Sequence, residues 1–307
     1  MPDTTGSELK VHSDWHANDE RYVRRGELLA AMSWLASWRS ELEEMNAGKR
    51  GRPYRFPRSL VRYVRLQRDV WHISLRAAQG ALRALGAALG FEAPDFTTLW
   101  KRLTREEAEP VVPPRAQEHV LAIDSTGIKV TERGEWMRDK WHKRRGFIKA
   151  HVAVDVTTMA VVAVIVSDER SHDRRYLVPL VREAASTLPG RIVRVLADGA
   201  YDSRENFDFL RSQNIEAGIK LRKDAVARFN GSQARYLAVV ERQSLGEHGW
   251  KSRYEYWRRW NVEIVFSAVK RVLGESLRSR RSDLMLREAQ HKFIAYNRLV
   301  FAGGLVN

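Results

Sequence analysis

Three carboxylates sit where apolar residues belong. Asp124 follows "VLAI" and Asp198 follows "RVLA", two short apolar runs that predict buried strands. Glu263 lies between Val262 and Ile264 in "YEYWRRWNVEIVFSAVKRVLG", residues 254–274. Aspartate is disfavoured inside strands, and a buried carboxylate without partners is costly. Either Asp alone reads as a strand-end turn or a cap. Together with Glu263 they admit another reading, because three converging carboxylates can hold two divalent cations about 4 Å apart. Such ions activate the attacking oxygen and stabilise the leaving oxygen of a phosphodiester displacement. Oxygen-only ligands favour Mg2+, with Mn2+ as a substitute, over zinc.

The spacing predicts that residues 254–274 form one helix. At ~100° per residue, Tyr256, Arg259, Glu263 and Lys270 fall within a stripe roughly 60° wide. Trp257, Ile264, Ala268, Val272, Val262, Val265 and Val269 fill most of the remainder, so the helix is expected to be largely buried around one ionisable stripe. The alternative is a solvated seam in which Arg259 and Glu263 form an ordinary i,i+4 ion pair, worth a few tenths of a kcal/mol.

What could need that stripe is suggested by the charge of the whole chain. Its 307 residues carry 53 Lys and Arg against 38 Asp and Glu, a formal charge of +15. A protein this basic usually has a polyanionic partner, most often nucleic acid; a basic surface without specific use is the bland alternative. Cysteine is absent, which excludes disulfides and thiolate metal sites and suits a reducing compartment. The opening "MPDTTGSELKVHSDWHANDE" has no apolar core, and the longest apolar run, "MAVVAVIV", is too short to span a bilayer. The expectation is a cytoplasmic, nucleoid-associated protein without membrane contact.

The elements that must position these residues fall into two regions. Residues 1–20 are polar and read as a flexible tail. Residues 21–106 have helical periodicity, with one helix expected over 26–45 and others in "RSLVRYVRLQRDVW", "SLRAAQGALRALGAALG" and "APDFTTLWKRLTR". Ser74 and Asp95 are candidate N-caps, and Gly90 a terminator. The last two helices could form a helix-turn-helix presenting Thr97, Thr98, Lys101 and Arg102 to DNA, or a plain helical hairpin. Arg50-Gly51-Arg52-Pro53 has the form of an AT-hook core, in which Arg50 and Arg52 would enter a narrow minor groove; a charged turn is the other reading. Residues 107–118 are rich in Pro and Glu and predict a linker. From 119 to 302 the pattern is three strands, helix, strand, helix, strand, helix, with a basic loop region before residue 254.

This order, the Asp–Asp–Glu set and the spacing Tyr256-x2-Arg259-x3-Glu263-x6-Lys270 resemble the DDE transposases of prokaryotic insertion sequences, in the group marked by a Y-R-E-K signature. "AIDST", "ADGAYDS" and "VEIVFSAVKR" resemble that group's three catalytic blocks. The resemblance implies an α/β, RNase H-like catalytic domain, a mixed five-stranded sheet flanked by helices, preceded by an all-helical DNA-binding region. It implies that Asp124, Asp198 and Glu263 bind two Mg2+ ions, and that Tyr256, Arg259 and Lys270 contact phosphates near the transposon end. The activity it implies is cleavage at element ends and strand transfer by in-line phosphodiester attack, carried out by a homodimer on double-stranded DNA. A nuclease that cuts without joining and a non-catalytic DNA-binding derivative are the rivals.

Other residues carry weaker expectations. Asp202 is read as an N-cap, Asp155 as a hairpin-turn residue and Asp173 as a helix cap. His142, His151 and His172 are read as ordinary hydrogen-bonding side chains. "WHKRRG", with Lys143, Arg144 and Arg145, and "RSRRS", residues 278–282, are candidate DNA-tracking clusters or solvated basic faces. Trp257 and Trp260 could stack on a flipped base, but packing in the core is the favoured reading.

Overall fold

The computed structural model describes residues 15–106, 116–130, 146–228 and 231–302. The first of these stretches is helical: α1 (Trp15–Ala30), α2 (Ser33–Ala36), α3 (Trp38–Asn46), α4 (Arg58–Trp71), α5 (Leu75–Leu89) and α6 (Phe96–Leu103). The caps lie where the sequence puts them. Ser74 accepts from the N–H of Ala77, Asp95 from those of Thr97 and Thr98, and Gly90 ends α5 at φ 76°. Trp34, Leu60, Val64, Leu82, Leu99 and Leu103 form the core of this region. The helix expected over 26–45 is divided among α1, α2 and α3, and α1 begins inside the segment expected to be loose.

The strands follow: β1 (Glu118–Lys129), β2 (Phe147–Asp155), β3 (Val161–Asp168), α7 (Leu177–Thr187), β4 (Arg191–Ala197), α8 (Arg204–Ser212), β5 (Glu216–Ile219), α9 (Gln233–Arg253), α10 (Trp260–Leu273) and α11 (Ser282–Ala302). The sheet order is β3-β2-β1-β4-β5. β1, β2 and β3 pair antiparallel as a meander, whereas β4 and β5 run parallel to β1, reached through helical crossovers. The chain thus has the expected α/β architecture, a mixed five-stranded sheet flanked by helices. Both faces are covered, which is why the central strands read as unbroken apolar runs. Ala122, Val152 and Val154 face α10 and α11 through Val262, Val265 and Phe293. Leu121, Ile123 and Val195 face α7 and α8 through Leu180 and Leu210.

The structure corrects three local expectations. Residues 254–274 are not one helix. α9 ends at Arg253, Glu255 takes a left-handed conformation (φ 49°), and Tyr256–Arg259 form a 3-10 turn before α10. The break follows from packing: Trp250, Tyr254 and Tyr256 cluster against Leu196 of β4, with ring centroids 5.0–5.2 Å apart. α10 is not buried all round either, since Trp257, Trp260 and Ile264 are 55–60% exposed. Second, the loop expected before residue 254 is mostly α9, which Ser232 starts by accepting from the N–H of Arg235 at 3.0 Å. Third, Asp173 caps nothing. It lies in a 3-10 turn before α7 and pairs with Lys149 at 2.8 Å. Among the described residues no helix is long and apolar enough to cross a membrane.

Candidate active site

Strand register brings the two aspartates together. Ile123 of β1 pairs with Ala197 of β4, so Asp124 and Asp198 are the next residues on adjacent parallel strands, whose spacing is about 4.8 Å. This is the carboxyl end of β4, the edge where open α/β sheets bind ligands. The Asp124 carboxylate accepts from the N–H of Ser125 at 2.7 Å, and that of Asp198 from the N–H of Ala200 at 2.9 Å. Period-two alternation puts Asp124 on the face of Ala122, towards α10.

α10 closes the site from that side. Arg259, at its start, donates through Nη1 to Asp124 Oδ2 and through Nη2 to Glu263 Oε1, each at 2.8 Å. The expected i,i+4 pair therefore exists, but it is joined to the β1 aspartate, and the Arg259 side chain is only 14% exposed. Tyr256 turns inward. Its hydroxyl donates to the Ala197 carbonyl at 3.1 Å, immediately before Asp198. It fixes the end of β4, and with its ring buried it is not presented to an outside phosphate.

The electrostatics report the convergence. Burial, foremost, pushes the Asp124 carboxyl up to about 6, and the charges of Asp198 and Glu263 push the same way against the Ser125 N–H and Arg259. Burial and the same three carboxylates raise Tyr256 to about 12, with Arg259 opposing. Tyr201, unremarked in the sequence, is fully buried in the turn after Asp198, and its hydroxyl has no hydrogen-bond partner among the described residues. Burial and the charges of Asp124, Asp173 and Asp198 hold it well above the ordinary tyrosine value. A tyrosine three residues after a strand-end aspartate was the available signal.

The donor chemistry fits a hard divalent cation: carboxylate oxygens from three elements, mutually repelling and short of positive charge. Among the described residues, however, no three acidic or histidine side chains are gathered closely enough to hold one ion together. The guanidinium of Arg259 spans Asp124 and Glu263 instead.

The remaining expected residues are placed apart from this centre. Lys270 is half-buried, about two turns along α10 from Glu263. Arg50, Arg52 and Lys101 are exposed. The hydroxyls of Thr97 and Thr98 donate to the Asp95 carboxylate, and Arg102 donates to the Phe56 carbonyl at 2.9 Å beneath the Tyr54 ring, so these three serve the helical region itself. Lys143, Arg144, Arg145 and His142 lie outside the described residues. Asp202 is not a cap. Fully buried, it receives Arg235 through two hydrogen bonds of 2.6 and 2.9 Å, while Ser203 caps α8. Asp155 does make the hairpin turn, accepting from the N–H groups of Thr157 and Thr158. His151 is buried, donor or acceptor to Ser167 at 2.8 Å and stacked on Tyr176.

A profile of the family described as Transposase DDE domain matches residues 115–298, and a second profile of the same description matches residues 23–133. Among solved structures, the chain is similar to a piggyBac transposase synaptic complex with hairpin DNA, at 10% identity over 90% of this chain and 73% of that one, with a TM-score of 0.37. It is similar to a simian T-cell lymphotropic virus intasome in complex with a PP2A regulatory subunit, at 18% identity over 65% of each chain and a TM-score of 0.27. It is also similar to a Mos1 mariner paired end complex with Mn, at 14% identity over 95% of this chain and 98% of that one, with a TM-score of 0.25.

Proposed function

The chain belongs to the family of transposase DDE domains, and we propose that Asp124, Asp198 and Glu263 are the carboxylates with which it works. It is a DDE transposase, a polynucleotidyl transferase acting on DNA. One observation carries the residue assignment: a single guanidinium bridges Asp124 and Glu263, with Asp198 on the adjoining strand. The three side chains would hold two divalent ions, Mg2+ or Mn2+, whose chemistry when bound is Lewis-acid activation of the attacking and leaving oxygens.

The chain's own residues do the rest. β1 and β4 fix two carboxylates against a rigid sheet, Tyr256 holds the strand end beside Asp198, and α10 brings the third across. Arg259 keeps the carboxylates from repelling one another and offers the planar fork that suits a phosphate. Lys270, further along α10, adds a point charge, and Arg50, Arg52 and Lys101 are exposed cations able to reach a DNA backbone. Lys143, Arg144 and Arg145 are assigned the same role from sequence. Cleavage at the ends of an insertion sequence and joining to target DNA require two ends held together, so we expect a homodimer on DNA. A DNA substrate, the basic charge and the absence of cysteine support a place on the nucleoid.

The test is cleavage and joining on DNA bearing the native element ends, with Mg2+, by wild type and Glu263→Gln. Cutting and joining that vanish in the variant, with end binding retained, are expected. Cutting without joining would replace the reading with a nuclease, and equal activity would reduce Glu263 to half of a salt bridge.

A further inference from the structure

We propose that a groove between α4–α6 and the segment joining α10 to α11 is a second site for the DNA phosphate backbone, gripping the duplex about five base pairs from the reacting phosphodiester. The proposal rests on the transposase reading for its partner, but none of its residues belongs to the carboxylate centre. Two adjoining cavities, of about 490 and 390 Å3, share Arg68, His72, Leu75, Trp100 and Arg278 and so form one continuous groove. Its walls are pinned to each other where Arg287 of α11 donates to the Thr104 carbonyl at 2.9 Å, and the α4–α6 wall is itself braced where Arg65 of α4 donates to Glu106 at 3.0 Å. The groove exists before anything enters it, so binding there needs little reordering.

Its charge is unbalanced. Arg65, Arg68, Arg278, Arg280, Arg281 and Arg287 line the 390 Å3 cavity against two carboxylates, Asp69 and Glu288. Glu288 is already engaged, accepting from the N–H groups of Arg278 and Ser279 at 2.8 Å each, and this contact holds the arginine-bearing segment in place. Arg281 pairs with Asp283. Arg278 and Arg280 are exposed, and neither meets a carboxylate at ion-pair distance among the described residues. The Nε of Arg68 is buried without a hydrogen-bond partner among the described residues. Burial, foremost, holds both His72 and Arg68 below their ordinary values. Arg278 and Lys292 add to it at His72; at Arg68 the charges of Arg65 and Arg278 add to it while Asp69 and Glu288 oppose. Like charges gathered in a preformed groove work against folding unless a polyanion enters. Trp100, 43% exposed on the same wall, offers a flat apolar face of the kind that packs on a sugar.

Two independent rulers place the groove relative to the carboxylates. The segment after α10 adds to the far end of β1, where Lys129 donates to the Glu275 carbonyl at 2.9 Å and Leu277 donates to that of Lys129 at 2.8 Å. Lys129 is five residues beyond Asp124, about 17 Å along a strand. Glu263 to Leu273 spans ten residues of α10, about 15 Å. At about 3.4 Å per base pair, both give roughly five base pairs, half a turn of duplex.

The experiment compares full-length wild type with the double variant Arg278→Gln, Arg280→Gln for binding to element-end DNA in EDTA across a salt series. Each lost phosphate contact should flatten the slope of log affinity against log salt by about 0.9, hence by about 2 for the pair. Phosphate ethylation about five base pairs from the cut should interfere with wild-type binding and not with that of the variant. The variant Arg278→Lys, Arg280→Lys keeps the charge and should keep the slope, with thermal melts confirming that all three proteins fold. Unchanged slope and interference in the glutamine variant would overturn the groove alone, as would loss of slope in the lysine variant. Failure of wild type to bind end DNA would overturn the transposase reading itself.

Discussion

Arg259 donates to Asp124 at 2.8 Å across 135 positions of sequence. The same guanidinium reaches Glu263 one turn along α10, so one cation offsets the repulsion of carboxylates drawn from a strand and a helix. Removing it leaves Asp124 facing Asp198 and Glu263 with only the Ser125 N–H in opposition. Arg259→Gln should lower metal-free stability by about 1–3 kcal/mol. Mg2+ should then raise the melting temperature of the variant more than that of wild type. Thermal melts in EDTA and in Mg2+ test this, and parallel curves for the two proteins would contradict it.

Asp124→Asn should separate activity from stability. The side chain is 19% exposed, and its burial disfavours the charged form. An amide removes that cost but sets its NH2 against one of the two donors, Ser125 N–H or Arg259, that the carboxylate now serves. The terms oppose, so stability in EDTA at pH 7.5 should change by no more than about 1–2 kcal/mol while end cleavage is lost. Urea denaturation beside a cleavage assay checks both halves. A variant that loses activity because it unfolds would show Asp124 to be structural.

Asp202 should behave in the opposite way. It is as acidic and as close in sequence to Asp198 as a fourth ligand would be, yet both its oxygens are taken by Arg235. Asp202→Ala leaves that arginine without its partner and should cost about 3–5 kcal/mol in urea denaturation, because the pair is buried on its acidic side. Protein that remains folded should cleave at the wild-type rate. Loss of cleavage without loss of stability would move Asp202 into the active centre.

The contrast between these aspartates marks what was legible in the sequence. Asp124 and Asp198 interrupt apolar strands, and an interruption of a strong period is visible without coordinates. The sheet followed from the same runs. Residues 254–274 were misread because their apolar period continues unbroken through Glu255, whereas the chain reverses there to seat Trp250, Tyr254 and Tyr256 on Leu196. That contact is tertiary, and a helical wheel contains no information about it. The wheel likewise marks Trp257 and Ile264 as apolar but cannot say that they remain more than half exposed. Asp202 and Asp173 looked like caps because each precedes a helix. Which cation each would meet depended on α9 and β2, far away in sequence.

Tyr256 gives a sharper test of role. Its hydroxyl donates to the Ala197 carbonyl, which also accepts from the N–H of Lys220 at 3.0 Å. Tyr256→Phe therefore leaves that carbonyl with one partner and should cost only about 1 kcal/mol. The affinity for end DNA should not change, since the hydroxyl reaches no phosphate from where it lies. A loss of about tenfold in end binding, with the salt slope unchanged because the hydroxyl is neutral, would show that Tyr256 swings out to meet DNA.

His291 predicts how the fold responds to acid. It is buried on α11, and burial, reinforced by Arg65, Arg298 and Arg287, lowers its ring to about 3; the Glu106 backbone opposes weakly. A histidine lowered in the folded state is protonated more readily in the unfolded one. Its neutral form therefore costs nothing above the ordinary value near 6.5, and it draws the equilibrium towards unfolding as pH falls from there towards 3. At about 1.4 kcal/mol per pH unit, the loss is about 2 kcal/mol by pH 5. His291→Gln cannot take up that proton. Wild type should thus lose about 2 kcal/mol relative to the variant between pH 7.5 and pH 5, whatever the other titrating groups contribute to both. Urea titrations of the two proteins at those pH values decide it. A difference that stays constant with pH would mean that the ring is protonated inside the fold, its charge held despite three arginines around it.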